Sequence, residues 1–141
     1  MNMFCFQCQE TMKNQGCNLM QGMCGKKAVT ANLQDKLLAG LKDIALNYPA
    51  DPKLGLFVIQ SLFMTITNAN FDNEALEKRI SQTEQILSGA KRTALCGVLS
   101  CENEDIRSLR ELLTYGVKGI AAYADHAAML GFEDNEIYQF V

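Results

Sequence analysis

Apolar side chains recur every three or four residues along most of the chain, which is the period of an amphipathic helix. The stretches that carry this pattern are about 31–48, 52–69, 73–90 and 103–130. One short apolar run, 94–99, has the composition of a strand, but no second strand signal is available to pair with it. The pattern therefore predicts an all-α fold, a bundle of about four main helices.

Capping residues set the expected starts of these helices. Thr30, Asp51, Asp72 and Asn103 precede the four stretches, and each has a side chain suited to a helix N-cap. Pro52 follows Asp51 at the first helical position, where its missing N–H costs nothing. We therefore expect the four helices to begin directly after these residues.

Two of the predicted helices differ in what they should bury. The second is apolar on most sides, so we expect it to lie at the centre of the bundle. The fourth carries apolar residues that repeat at intervals of three and four: Ile106, Leu109, Leu113, Val117, Ile120, Ala121 and Ala124. A further helix starts at about 133–141, which leads us to expect that the natural polypeptide continues.

The cysteines are concentrated before the helices. Cys5, Cys8, Cys17 and Cys24 are four of the six cysteines in the chain. Few apolar periodicities and several glycines surround them, so 1–29 should be a loop. We expect this loop and the helix bundle, 30–141, to form a single domain.

Four soft thiolates in so short a segment predict a metal centre. The gaps between the cysteines are two, eight and six residues. Structural zinc sites usually join two close cysteine pairs, whereas only the first pair is close here, which favours an iron–sulfur cluster over zinc. Redox-active or simply buried thiols are the third alternative. Lys13, Lys26 and Lys27 lie near enough in sequence to offset part of the thiolate charge.

Composition limits the remaining classes of function. The chain is 48% hydrophobic and 21% charged, with a net charge of −3. No predicted helix has a basic face, which argues against nucleic acid as a partner. We find neither a signal-peptide pattern nor an apolar stretch long enough to span a membrane, and we therefore expect a cytoplasmic protein without a membrane partner.

Several segments resemble the hybrid-cluster (prismane) proteins, the hydroxylamine reductase family. In the cysteine loop the resemblance lies in Met3-Phe4-Cys5-Phe6-Gln7-Cys8-Gln9-Glu10-Thr11, in Gly16-Cys17 and in Gly22-Met23-Cys24-Gly25-Lys26. In the helical part the matching segments are 31–35, 65–71, 102–112 and 119–127. The resemblance thus covers nearly the whole chain.

This resemblance implies an iron–sulfur cluster on Cys5, Cys8, Cys17 and Cys24, in the helical first domain of a longer protein. In the family that domain relays electrons from a donor protein to a hybrid iron–sulfur–oxygen cluster, whose ligands lie in later domains that this chain lacks. We therefore expect no catalytic residue and no hybrid cluster here, and no activity from the chain alone. The alternative function is a free-standing helical module for protein interaction, stabilised by zinc or by a cluster.

The cluster type depends on two of the gaps. The middle gap of eight residues resembles the family members with a 4Fe–4S cluster, and the last gap of six resembles those with 2Fe–2S. We expect 4Fe–4S rather than 2Fe–2S. The segment between the third and fourth helices is also shorter than in the long family members.

The missing domains should normally cover one side of the bundle, and that side should be apolar. The second helix is the expected contributor to it. Because monomers rarely leave a large apolar patch in water, we expect the isolated chain to self-associate, most simply as a two-fold dimer.

The remaining metal-ligand residue types have simpler interpretations. Cys96 and Cys101 lie in or beside the apolar run and match no cluster position of the family, so we expect them to be packing residues. His126, the single histidine, is expected to lie on a helix surface or to pack, and not to bind metal.

Overall fold

The structure, a computed structural model, describes residues 3–8, 10, 15–66, 70–92 and 103–141. Its helices are α1 (Ala28–Asn47), α2 (Pro52–Phe63), α3 (Asn73–Ile86), α4 (Glu104–Met129) and α5 (Asn135–Phe140). No strand occurs within these ranges. The predicted all-α bundle with four main helices is confirmed. The strand-like run 94–99 lies outside the described residues.

Helix α2 is the centre of the bundle, as its apolar surface predicts. It packs against α1, α4 and α5. Helix α3 packs mainly against α1, and its Arg79 also reaches Phe57 and Ser61 of α2. The α2 side chains Val58, Ile59 and Leu62 are buried. The core that they join consists of Leu37, Leu41, Ile44, Val58, Ile59, Leu62, Leu76, Ile80, Leu87, Ala121, Ala124 and Tyr138.

Three of the four predicted N-caps are confirmed. Asp51 accepts a hydrogen bond from the backbone N–H of Lys53 at 2.9 Å. Asp72 accepts one from Ala75 at 3.1 Å, and Asn103 one from Ile106 at 3.0 Å. These bonds satisfy backbone donors that the first turn of a helix leaves without an internal partner.

The predicted Thr30 cap is wrong. Helix α1 begins at Ala28, with Lys27 as its N-cap and no side-chain capping bond. Thr30 is buried inside the first turn, and its Oγ1 donates to the Asn73 side-chain oxygen at 2.8 Å. The hydroxyl therefore joins α1 to the start of α3, a distant partner that local sequence does not reveal.

Helix α2 ends at Phe63, earlier than the predicted 69. Near this end, the hydroxyl of Thr65 donates to the carbonyl of Leu62 at 2.7 Å, and its backbone N–H donates to the same oxygen at 2.9 Å. Such side-chain bonds to nearby carbonyls compete with the regular helical ladder. Helix α3 also ends early, at Ile86, before Gly89, whose φ of +80° is readily adopted by glycine.

The apolar stripe on α4 is only partly buried. Ala121 and Ala124 are buried, whereas Leu109 and Leu113 are each 65% exposed. Helix α4 has 26 residues and α2 has 12. At 1.5 Å per residue, α2 can cover only about half of α4. Among the described residues, α4 carries eight exposed large apolar side chains and α2 carries none, so the expectation that α2 contributes the exposed apolar surface is wrong.

An apolar cavity of about 290 Å³ separates the N-terminal half of α4 from α1 and α2. Its lining includes Leu41 of α1, Val58 of α2 and Leu113 of α4. At its edge, the Lys42 ammonium lies 3.8 Å from the Glu111 carboxylate and so joins α1 to α4. None of the described helices is both long and apolar enough to cross a membrane.

Helix α5 closes the bundle against α2. Its Tyr138 is buried, and the backbone of this residue lies directly over Gly55 in α2. A Cβ atom on Gly55 would overlap the carbonyl oxygen of Tyr138. Only glycine therefore lets the two helices approach this closely.

Candidate metal centre in the cysteine loop

The N-terminal loop folds back on itself at its first and third cysteines. The N–H of Cys5 donates to the carbonyl of Cys17 at 3.0 Å, and the N–H of Cys17 donates to the carbonyl of Cys5 at 2.6 Å. The two residues thus exchange both bonds, as in an antiparallel ladder. Opposite residues in such a ladder project their side chains to the same side, with Cβ atoms roughly 5 Å apart.

Glycine permits this fold at Gly16. Its φ is +79°, and a Cβ there would lie 2.9 Å from the Phe4 ring and 3.2 Å from the Cys5 carbonyl. Phe4 also packs on Phe6, with ring centroids 5.4 Å apart. The aromatic side chains on either side of Cys5 therefore cover this part of the loop.

A second turn carries the fourth cysteine. The N–H of Gly22 donates to the Lys26 carbonyl at 2.7 Å, and the N–H of Gly25 donates to the Gly22 carbonyl at 2.9 Å. Gly25 has φ of +86°, and Cys24 lies at the tip of this turn. The turn leads directly into α1, so the first helix fixes the position of the loop.

All four predicted ligands are free thiols. Cys5 and Cys17 are buried, and Cys8 and Cys24 are half-buried. The structure brings Cys5 and Cys17 together through their backbones. Across the ranges that the structure describes, no three His, Cys, Asp or Glu side chains lie close enough to hold a metal ion. Four thiols are suitable donors for an iron–sulfur cluster or for zinc. In this arrangement they do not surround one point, so binding a metal through all four would require the loop to rearrange.

One of the three predicted lysines lies at the thiols. The buried ammonium of Lys26 is 3.8 Å from the Cys5 sulfur. Lys27 is exposed, and Lys13 lies outside the described residues. Burial raises the pKa of the Cys5 thiol, while the backbone N–H of Gln7 and the Lys26 charge act against that rise. Lys26 thus favours the thiolate that a metal would bind.

Sequence reasoning missed Lys118, although it lies next to the loop. This α4 lysine is 5% exposed, and its ammonium donates to the Gln7 side-chain oxygen at 3.2 Å. The Gln7 amide nitrogen donates in turn to the carboxylate of Asp35 in α1. Gln7 sits between Cys5 and Cys8, so α1 and α4 both hold the first cysteine pair. The sequence feature that could have pointed to Lys118 is its position among the apolar residues of α4.

Lys118 should make the stability of the metal-free chain depend on pH. Burial lowers its pKa from 10.5 to about 8. Above that pH the folded chain loses a proton that the unfolded chain keeps, so stability rises with pH. Between pH 8 and 9 we expect the free energy of unfolding to increase by about 1 kcal/mol. Denaturant unfolding at the two pH values measures this increase.

The window ends at pH 9 because Cys5 then acts in the opposite direction. Its folded-state pKa is raised above 9.0, so the unfolded chain loses that proton first and stability falls with pH. The matched control is Lys118→Met, in which the rise between pH 8 and 9 should disappear. An equal rise in both proteins would assign it to another group.

The remaining candidate ligands are placed only in part. His126 lies on α4 with its Nδ1 2.6 Å from the Ala122 carbonyl, to which it donates, and its ring meets Phe63 edge-on at 5.2 Å. It is thus a surface residue packed on its own bundle. Cys96 and Cys101 lie outside the described residues.

Comparison with known proteins extends over the whole chain. The model of the Prismane/CO dehydrogenase family matches residues 3–141. A hydroxylamine reductase of Desulfitobacterium hafniense is 45% identical over 178 aligned positions, which cover 100% of this chain and 32% of that protein. For the hydroxylamine reductase of Acetivibrio thermocellus the identity is 46% over 173 positions, with the same coverage.

A third relative gives the same result. The hydroxylamine reductase of Nitratidesulfovibrio vulgaris is 42% identical over 180 aligned positions, covering 99% of this chain and 32% of that protein. The chain therefore spans about a third of the length of these curated relatives. Each alignment is also longer than the 141 residues of the chain, so the relatives carry additional residues within the matched stretch.

Proposed function

Because the chain belongs to the Prismane/CO dehydrogenase family, we propose that it is the iron–sulfur electron-relay domain of a hydroxylamine reductase. The observation that carries the proposal is the set of four free thiols in one loop, two of them buried and bridged through their backbones. The cluster would accept one electron from a donor protein. It would pass that electron to the hybrid cluster, which belongs to the two-thirds of the relatives' length outside this chain.

The chain's own residues would bind and position the group. Cys5, Cys8, Cys17 and Cys24 would hold it, as 4Fe–4S rather than 2Fe–2S, and it would supply one-electron transfer. Gln7 would fix the first cysteine pair to α1 and α4 through its two side-chain hydrogen bonds. None of these residues has a catalytic role in the proposal. A cytoplasmic location agrees with it, because reducing conditions keep thiols available for metal.

Anaerobic reconstitution with iron and sulfide tests the proposal. We expect the purified chain to take up about four irons, with thiolate-to-iron absorption in the visible range and a paramagnetic signal after one-electron reduction. About two irons would indicate the 2Fe–2S form. A chain that remains colourless and free of iron, while it keeps its helical circular dichroism, would contradict the relay function.

One observation favours a role in protein contact as well. Large apolar side chains are exposed along α4, among them Leu109, Leu112, Leu113 and Tyr123. We propose that the remainder of a longer protein covers this side of α4, and that the isolated chain self-associates through it. Light scattering on the isolated chain tests self-association. A clean monomer at micromolar concentration would contradict it.

The alternative function is a free-standing interaction module stabilised by zinc or by a cluster. The exposed side of α4 agrees with it equally well. Spectroscopy separates the two functions, since zinc is silent in both visible absorption and paramagnetic resonance. A chain that binds one zinc ion and assembles no iron–sulfur cluster would favour the module.

A further inference from the structure

Two lysine ammoniums are buried beside the cysteine loop, and neither forms an ion pair with a carboxylate of the described residues. Lys26 is 2% exposed and Lys118 is 5% exposed. Within the described part of the chain, the ion pairs formed at 4.0 Å or less involve neither of them. Buried charges are normally paired, because an isolated charge in a dry environment is costly. The site therefore holds two buried positive charges that no described carboxylate contacts directly.

The contacts of the two ammoniums lead to the thiols. Lys26 reaches the Cys5 sulfur at 3.8 Å. Lys118 reaches the side-chain oxygen of Gln7, a neutral group between the first two cysteines, at 3.2 Å. Each lysine thus points toward the cysteine pair from a different element, Lys26 from the loop and Lys118 from α4.

The charges around these lysines do not balance. The two ammoniums are close enough to repel each other. The nearby carboxylates are Asp35 and Glu111, and Lys42 is a third positive charge beside them, so three positive charges face two negative ones. Four thiolates around Zn²⁺, or around an oxidised 4Fe–4S or 2Fe–2S core, carry a net charge of about −2. A thiolate-bound centre would therefore supply the missing negative charge.

We propose that Lys26 and Lys118 are a buried cation pair that offsets the negative charge of a thiolate-bound metal centre on the cysteine loop. The inference deepens the proposed function and relies on it for the identity of the centre. Lys118 acts as a positioning residue, because it reaches the centre through Gln7. Both charges favour metal binding over the metal-free state, and in an iron–sulfur protein they favour the reduced cluster over the oxidised one.

The stability of the metal-free protein distinguishes charge compensation by Lys118 from a purely structural role. If its bond to Gln7 only tied the loop to α4, replacing it would lower the stability of the chain. If the ammonium is instead an uncompensated charge, its removal should leave the metal-free chain at least as stable as before. Stability without metal therefore separates the two roles.

The experiment compares wild type with Lys118→Met, Lys26→Met and Lys53→Met. Lys53 is exposed on α2, so its variant has the same change in net charge away from the loop. Zn²⁺ serves as the probe, because it forms a thiolate centre of known charge whether or not a cluster assembles. Affinity is measured by competition with a chromophoric chelator, and chemical unfolding of the metal-free proteins is measured in parallel.

We expect Zn²⁺ to bind at least tenfold more weakly to Lys118→Met and to Lys26→Met than to wild type, and unchanged to Lys53→Met. Metal-free Lys118→Met should unfold at the same denaturant concentration as wild type or at a higher one. Equal Zn²⁺ affinity in all four proteins would overturn the proposal, and so would a wild type that binds no Zn²⁺. If Lys118→Met does not fold, Lys26→Met decides the result alone.

Reconstituted protein gives a second readout that is independent of enzyme activity. Without the Lys118 charge, the reduced cluster should be disfavoured by about tenfold at a fixed ambient potential, which corresponds to about 59 mV toward more negative values. An unchanged potential in both buried-lysine variants would overturn the proposal while leaving the relay function intact. A wild type that binds Zn²⁺ but no cluster would contradict the relay function, and the Zn²⁺ comparison would still decide the lysines.

Discussion

Replacing Gly55 by alanine is expected to destabilise the chain by about 2–3 kcal/mol and to release α5 from the bundle. The added methyl group would overlap the carbonyl oxygen of Tyr138. A backbone atom cannot turn aside as a flexible side chain can, so α5 must shift as a whole. The buried Tyr138 side chain would then lose its packing against the core.

Chemical unfolding measures the loss, and amide hydrogen exchange locates it. Exchange should accelerate most at the N–H of Tyr138, which now donates to the carbonyl of Asp134 at 3.1 Å. The matched control is Gly116→Ala in α4, where nothing lies within 4 Å of an added Cβ. Alanine there should stabilise the helix by about 0.5–1 kcal/mol. Equal effects of the two substitutions would show that α5 does not lie on Gly55.

Serine at any one of the four loop cysteines is expected to remove most of the iron that wild type takes up on reconstitution. A serine oxygen is a harder and poorer ligand for this iron than a thiolate sulfur. The substitutions are Cys5→Ser, Cys8→Ser, Cys17→Ser and Cys24→Ser. Iron and sulfide analysis, together with visible absorption, measures the loss.

The control for these substitutions is Cys101→Ser, which should retain the full iron content. It removes the same sulfur atom from a position that the family resemblance does not assign to the cluster. Iron loss from Cys101→Ser equal to that from Cys8→Ser would contradict the ligand assignment. Circular dichroism of each variant shows whether the helices persist, so that lost iron is not confused with lost structure.

Local signals in the sequence predicted most of the fold. An acidic or amide side chain before an apolar-periodic stretch can cap the first backbone N–H groups of a helix, whatever that helix packs against. Asp51, Asp72 and Asn103 do so. Periodicity also identified α2 as central, because a helix apolar on most sides must be surrounded. These predictions depend on neighbouring residues alone.

The errors concern contacts between distant parts of the chain. Thr30 has the side chain of a cap but donates to Asn73 across the bundle. The apolar stripe of α4 was correctly identified as a stripe, yet spacing cannot say which partner covers it or how far that partner extends. Lys118 and Gln7 are 111 positions apart. Only the packing of α4 against the loop brings them together.

For the candidate site, the sequence names the four cysteines, and their assignment as ligands stays a prediction; it says nothing of their geometry. Clustered cysteines identify the donors, because thiolates so close in sequence are within reach of one centre. Their backbone pairing and the lysine from α4 depend on how the loop lies on the bundle. Among the described residues, the four thiols named from the sequence are free.

The backbone ladder between Cys5 and Cys17 also affects the entropy of metal binding. Closing the segment between two distant ligands restricts the chain, and in a flexible peptide the metal must offset that loss. Here two backbone hydrogen bonds between Cys5 and Cys17 close that segment. If the four cysteines bind a metal as proposed, two of the donors are already held together, and the remaining entropic cost of binding falls on Cys8 and Cys24.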